Sequence, residues 1–183
     1  MAFAVSQPLF LCSLRLQACP EAQMRYAAVK LLNSVLVLGA IGAQTQTMQS
    51  YHWSKSQLLE RAKHLQEQAT RGDGSASETL EKYPHHYTML AFRQKSGGGE
   101  LHKNFADMFV ILDGHATVVT GGRVVEQKIV DPGEIRGKSV DGGTRQEVKE
   151  GDVVHIPAGM PHQMLLPDGE TVTYFVIKAE EAR

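Results

Sequence analysis

A succession of short β-type segments, which begins after Pro84 and continues almost to the end of the chain, is the feature that most constrains the fold. The segments are rich in Val, Ile, Thr, Phe and Tyr, which favour strands, and turn formers built from Gly, Pro and Asp separate them. The predicted strands span residues 87–93, 107–112, 116–120, 123–130, 147–156, 163–166 and 171–178. So many short strands at this spacing predict an all-β sandwich or barrel, of which a jelly roll limits exposed edges.

An amphipathic helix is predicted over residues 51–70, ahead of the strands. Leu58, Leu59, Ala62 and Leu65 recur there at three- and four-residue spacing among charged residues. Residues 71–77, RGDGSAS, predict a loop. The expected organisation is therefore a helix and linker over 44–79, followed by a β domain over 80–183.

The first 43 residues are predicted to be a non-structural extension that contains a signal peptide. Arg25 and Lys30 precede an apolar run over residues 31–43, and polar residues follow. A transmembrane helix needs about twenty apolar residues, more than this run contains. We therefore expect a secreted or periplasmic protein, with no membrane association in the mature form. Translation from Met24 is an alternative start, and a buried N-terminal helix in a cytoplasmic protein is the alternative interpretation.

The composition excludes several kinds of partner and chemistry. The formal net charge is −1 and no Lys/Arg cluster is present, so nothing favours nucleic acid or an anionic membrane as a partner. A small molecule is the expected ligand. Cys12 and Cys19 both precede the predicted domain, which excludes Cys-ligated zinc, Fe–S clusters and a thiol nucleophile within it.

Potential metal ligands stand in one stretch of the β domain. In an extended strand, residues two apart face the same side, so Glu100 and His102 project together. By the same rule, Asp107, Phe109 and Ile111 share one face of the next strand. An imidazole and a carboxylate that enter an apolar barrel need a compensating interaction, and metal coordination supplies one.

This stretch and a second one resemble the paired motifs of the cupin superfamily. The first motif has the form G-x5-H-x-H-x(3,4)-E-x6-G, and its second His, its Glu and its closing Gly correspond to His102, Asp107 and Gly114. The second motif has the form G-x5-P-x-G-x2-H-x3-N, and its first four defined positions correspond to Gly151, Pro157, Gly159 and His162, with Leu166 in place of the final Asn. The resemblance covers roughly residues 80–180.

The resemblance implies a double-stranded β-helix, or jelly-roll barrel, with a metal site. His102, Asp107 and His162 become the expected metal ligands, and a homodimer is suggested. Glu100 stands where the family usually has its first His, so it is a fourth candidate ligand. Two histidines and two carboxylates suit Fe(II), Mn(II), Ni(II) or Zn(II).

Two alternatives to metal binding stay open at this point. The residues could line a metal-free pocket for a sugar or another small molecule, or they could form a structural polar cluster. Three further residues are candidates for the pocket or for contacts to the ligands, namely His155, His86 and Phe109. His155 shares a face with Val153, and a satisfied core histidine is the alternative there. Because cupins include dioxygenases, isomerases and lyases as well as proteins without catalysis, the fold does not specify a reaction.

Overall fold

A computed structural model describes residues 50–181. Within that range the chain forms one helix and twelve strands: α1 (Lys55–Arg71), β1 (Ser75–Tyr83), β2 (His86–Arg93), β3 (Gly99–His102), β4 (Phe105–Thr120), β5 (Arg123–Val125), β6 (Lys128–Asp131), β7 (Glu134–Gly137), β8 (Ser139–Asp141), β9 (Thr144–Lys149), β10 (Val153–Ile156), β11 (His162–Leu165) and β12 (Val172–Glu180). The strands build a curled antiparallel sheet. The predicted all-β jelly-roll class with a single helix before the strands is confirmed.

The long strand β4 connects the two halves of the curled sheet. Its first part pairs with β12 and β10, and its second part pairs with β9 and β11. The remaining main pairings run in the order β1-β2-β12-β4-β11-β3-β7-β6, and β5 and β8 form a separate two-stranded sheet. Residues that alternate along β4 therefore face the interior from both halves.

A bulge at the centre of β4 lets the strand bend without ending. The register with β12 shifts near Leu112, and Gly114 adopts a φ of 80°. A Cβ at Gly114 would lie 2.0 Å from the carbonyl oxygen of Thr171, so only glycine fits. The prediction of two separate strands over 107–112 and 116–120, with a turn between them, is therefore wrong. The glycine bends one continuous strand, because both flanking segments keep their pairing partners.

Other predicted elements differ from the structure in their boundaries. Residues 75–77 open β1, although they were predicted to lie in a loop. The predicted strand over 123–130 is divided into β5 and β6, and the one over 147–156 is interrupted by a turn at Gly151, whose φ is 90°.

The expectations for residues 1–43 lie outside the described residues. Within residues 50–181, no helix combines the length and the apolar character needed to cross a bilayer.

The helix α1 covers the outer face of the sheet. It begins with a capping box, in which Ser54 accepts a hydrogen bond from the backbone N–H of Gln57, whose side chain accepts one from the backbone N–H of Ser54. Its apolar stripe is buried against residues of β2 and β4, and the shared cluster contains Leu58, Ala62, Leu65, Ala69, Leu90, Phe92 and Leu112. A second cluster fills the interior of the sheet. The helix thus covers the first cluster, while the site described below lies beside the second one, in the interior of the sheet.

We expect Leu65→Ala to lower the free energy of unfolding by about 2–5 kcal/mol, because the side chain is fully buried and the substitution leaves a cavity. Gln66→Ala changes an exposed neighbour in the same helix and serves as the control. Urea denaturation of both variants provides the measurement. Equal stabilities of the two variants would show that α1 does not contribute to the core.

Candidate metal centre

The register of three short strands brings the candidate ligands of two motifs together. In the pairing of β11 with β3, His162 lies opposite Glu100. In the pairing of β3 with β7, Glu100 lies opposite Arg136 and His102 lies opposite Glu134. Side chains of directly opposed residues on one face are close neighbours. Residues far apart in sequence therefore meet across the strands.

Asp107, the remaining candidate ligand, reaches the same point from β4. Asp107 is 2% exposed, and its Oδ2 lies 3.4 Å from Nε2 of His102 and 3.5 Å from Nε2 of His162. Oε2 of Glu100 lies 3.6 Å and 3.8 Å from the same two nitrogens. The structure thus brings together all four residues that the sequence proposed as ligands.

Hydrogen bonds on the far side of each imidazole set the orientation of both rings. Nδ1 of His102 lies 2.6 Å from Oε2 of Glu134, and Nδ1 of His162 lies 3.1 Å from the carbonyl oxygen of Met160. Both partners only accept hydrogen bonds, so each Nδ1 is the donor, and Nε2 is the atom that would offer its lone pair to a metal ion. Both Nε2 atoms are buried and lack a hydrogen-bond partner. This is the arrangement that holds a histidine for metal coordination.

The loop of the second motif fixes the position of His162. Gly159 adopts a φ of 77°, which a residue with a side chain rarely tolerates. Its backbone N–H donates to the carbonyl oxygen of His102 over 2.7 Å. The loop that carries one candidate ligand is therefore attached directly to the strand that carries another.

The spacing of the donor atoms fits a transition-metal ion. Ligand atoms of Glu100, His102 and His162 all lie within 4.8 Å of one another. Two donors that each lie about 2.1 Å from a tetrahedral ion are about 3.4 Å apart. The observed separations of 3.4–3.8 Å between nitrogens and carboxylate oxygens need only small adjustments to reach that value.

Three cations, none of them identified from the sequence, contact the carboxylates of the centre. Lys178 lies opposite Asp107 in the pairing of β12 with β4, and its Nζ lies 2.7 Å and 2.8 Å from the two carboxylate oxygens. Arg93 lies 3.3 Å from Oε1 of Glu100, and Arg136 forms an ion pair with Oε2 of the same residue. The buried carboxylates are therefore compensated by charges from three further strands.

These contacts shift the pKa values of the acidic groups downward. Burial raises the pKa of Glu100, but His102 and the cationic Arg136 outweigh this effect and hold the pKa at about 2. Burial also opposes ionisation of Asp107, yet the neighbouring histidines and Lys178 hold its pKa far below the usual range. Both groups are ionised at neutral pH.

The imidazole of His102 responds in the opposite direction. Burial lowers the pKa of His102, but the carboxylates of Asp107 and Glu100 more than compensate and raise it to about 9. In the metal-free protein at neutral pH, His102 is therefore protonated, and its Nε2 faces the two carboxylates at 3.4 Å and 3.6 Å, without a hydrogen bond of good geometry. A metal ion must replace that proton, so metal binding should release it and become tighter as the pH rises.

A cavity of about 350 Å³ opens beside the centre. Glu100 and Asp107 form part of its wall, and Phe109, which the sequence proposed for the pocket, lies at the same wall with its ring 6.3 Å from that of His162. Tyr174 lines the cavity as well and accepts a hydrogen bond of 3.0 Å from Nε of Arg93. The size is in the range of cavities that hold small molecules.

The structure places two of the proposed pocket residues outside the site. His155 shares a face with Val153, as expected, but that face of β10 points to solvent, and both side chains are exposed. His86 is also exposed, and its ring stacks on Tyr83 at a centroid distance of 4.5 Å. Their assignment to the pocket or to ligand contacts is therefore corrected. Each lies on the outward-facing side of its strand.

A signal for one of the overlooked residues was present in the sequence. Along β12, Val172, Tyr174 and Val176 alternate toward the interior, and the same period places Lys178 there. A lysine on the buried face of an apolar strand indicates a buried charged partner. Arg136 and Glu134 had no comparable signal, since β7 was not predicted as a strand.

The comparisons with known proteins concern the fold alone. No family model matches the chain, and no curated protein matches it. Solved structures similar to it include the DMSP lyase DddQ from Ruegeria pomeroyi DSS-3, with a TM-score of 0.44 and 16% identity over 58% of this chain and 47% of that one. They also include the cupin domain of Cnp3 from Schizosaccharomyces pombe, with a TM-score of 0.45 and 15% identity over 58% of this chain and 65% of that one.

A third similar structure is KdgF from Halomonas sp., with a TM-score of 0.44 and 10% identity over 60% of this chain and 83% of that one. The chain thus spans about half of the length of the DMSP lyase and just under two thirds of the Cnp3 domain. Cupin-domain proteins are prominent among the structural neighbours.

We expect Glu100→Gln to lower the pKa of His102 in the metal-free protein from about 9 toward the ordinary value, because one of the two carboxylates that stabilise the imidazolium becomes neutral. An NMR titration that follows the imidazole nitrogens measures this. An unchanged pKa of His102 in the variant would contradict the described electrostatics.

Proposed function

We propose that this protein is a small metal-binding protein of the cupin fold that binds or acts on a small polar organic molecule. The observation that carries the proposal is the pair of buried Nε2 atoms of His102 and His162. Both lack a hydrogen-bond partner, and both face carboxylate oxygens beside a cavity. Buried polar atoms without partners are rare, and a metal ion would satisfy both at once.

Glu100, His102 and His162 would hold the metal, with Asp107 directly beside it as a fourth donor. Nitrogen and oxygen donors of this kind suit Fe(II), Mn(II), Ni(II) or Zn(II). When bound, such an ion supplies Lewis acidity that polarises a carbonyl or carboxylate group of a ligand. The carboxylates of Glu100 and Asp107 would stabilise the bound cation, because both are ionised at neutral pH.

The surrounding residues of the chain prepare the donors. Glu134 and the carbonyl group of Met160 hold the two imidazoles with Nε2 directed at the centre. Phe109 and Val176 give part of the cavity an apolar wall. Tyr174 offers a hydroxyl group at the same wall, already oriented by its hydrogen bond from Arg93.

A metal-free binding site is the second candidate function, and one observation favours it. Lys178 already contacts both oxygens of Asp107, and the arginines contact Glu100, so the carboxylates have cationic partners without a metal. In this alternative, the cavity binds its ligand through the same polar groups. The metal content of the purified protein distinguishes the two candidates.

Export through residues 24–43 and assembly as a homodimer complete the proposal. Both rest on sequence, the first on the basic and apolar pattern before Ala43 and the second on the resemblance to cupins. N-terminal sequencing of the protein secreted by its native host tests the first, and light scattering of the purified protein tests the second.

The untagged protein is expected to carry about one equivalent of a divalent transition metal after purification, as measured by elemental analysis. His102→Ala and His162→Ala should each reduce the content below about a tenth of an equivalent, because each removes a nitrogen donor that no neighbour replaces. His155→Ala changes an exposed histidine and is the matched control. An equal metal content in all four proteins would refute the proposed centre and favour the metal-free site.

A further inference from the structure

Apart from the two histidines, the charged side chains at the centre balance one another before a metal is added. Three carboxylates and three cations contact one another there, namely Glu100, Asp107, Glu134, Arg93, Arg136 and Lys178. Asp73 also lines the cavity, but it is exposed, so solvent screens its charge. Metal coordination requires neutral imidazoles, so His102 and His162 add no charge to the loaded centre. A divalent ion would therefore leave an excess of two positive charges.

This excess charge would face a cavity with a partly apolar wall. Met89, Ala91, Phe109 and Val176 line the cavity beside the charged groups. An uncompensated charge in such surroundings is costly, and an anion that binds next to it removes the cost. The apolar wall favours an anion with an organic body over a small inorganic one.

We propose that the metal-loaded centre binds a small organic carboxylate in this cavity, with Arg136 and Arg93 as its cationic contacts. The inference rests on the proposed function, since the full excess of two positive charges arises only when the metal is present. It adds the chemical class of the ligand, which the fold does not specify.

Arg136 is the cation that metal binding would release from Glu100, leaving its contact of 3.5 Å to Glu134. It forms its ion pair with Oε2 of Glu100, the oxygen that also faces Nε2 of His102 and Nε2 of His162. A metal ion held by these three residues competes with Arg136 for that oxygen. The side chain of Arg136 is 42% exposed, so it has room to turn toward a ligand.

Arg93 and Lys178 make contacts that do not involve Oε2 of Glu100, so a metal ion at that oxygen would not displace them. Arg93 contacts Oε1 of Glu100 and donates to Tyr174, and Lys178 remains bound to Asp107. A guanidinium group presents paired N–H donors that match the two oxygens of a carboxylate. A carboxylate in the cavity would therefore meet one fixed and one released guanidinium.

The proposal requires that metal and carboxylate strengthen the binding of each other by the same factor, because coupling between two ligands is reciprocal. Isothermal titration of Zn(II)-loaded and Zn(II)-free protein with propanoate measures one side of this cycle. Titration with Zn(II) at zero and at saturating propanoate measures the other. We expect at least about a tenfold gain on both sides, and no gain with the neutral analogue propanamide.

Arg136→Gln should reduce the coupling by about fivefold, and Arg136→Lys should restore part of it, since the charge returns without the paired donors. Arg145→Gln is the matched control, because Arg145 is exposed on β9 and does not line the cavity. Elemental analysis of the same samples reports the Zn(II) content of each variant independently.

The outcomes separate this inference from the function on which it rests. Zn(II) binding without a gain in propanoate affinity, or with an equal gain for propanamide, would overturn the inference and leave the metal centre intact. Equal coupling in Arg136→Gln and Arg145→Gln would overturn the role of Arg136. A protein that takes up no Zn(II) would overturn the metal centre and, with it, the inference.

Discussion

The uninterrupted pairing of β4 is the constraint on which the rest of the structure depends. This strand of 16 residues hydrogen-bonds to four others and passes from one half of the curled sheet to the other. Its register with β12 decides that Asp107 and Phe109 face inward, opposite Lys178 and Val176. A slip of one residue would turn this face to the opposite side of the sheet, the side that α1 covers, and remove both the carboxylate and the cavity wall. The bulge at Gly114 permits the bend without such a slip.

The buried charges of the centre are kept in place by pairs of residues on neighbouring strands. Asp107 and Lys178 are 2% and 8% exposed, so neither has water enough to solvate its charge alone. Each requires the other in the metal-free protein, and loss of either partner alone would leave a buried charge uncompensated. The same pairing explains how a cluster of acids and imidazoles can persist in the interior of a small β domain. Stability and the capacity to bind a metal therefore rest on the same side chains.

The sequence could predict the fold and the residues that meet at the centre, but not their electrostatic surroundings. Alternation along single strands was enough to place Glu100 with His102, because period 2 is a local property. Motif spacing added His162. Arg136 and Glu134 become neighbours of these residues only through the pairing of β7 with β3, and a register between strands cannot be read from either strand alone. His155 shows the same limit, because alternation predicts that it shares a face with Val153 but does not tell whether that face is buried.

A crystal structure of the full chain grown with Zn(II), with diffraction data recorded at the zinc absorption edge, tests the metal centre most directly. If the proposed centre is correct, one strong anomalous peak lies about 2.0–2.2 Å from Nε2 of both His102 and His162, with an oxygen of Glu100 at a similar distance. Anomalous peaks confined to exposed histidines such as His85 or His155, with the two Nε2 atoms still lacking a partner, would contradict it.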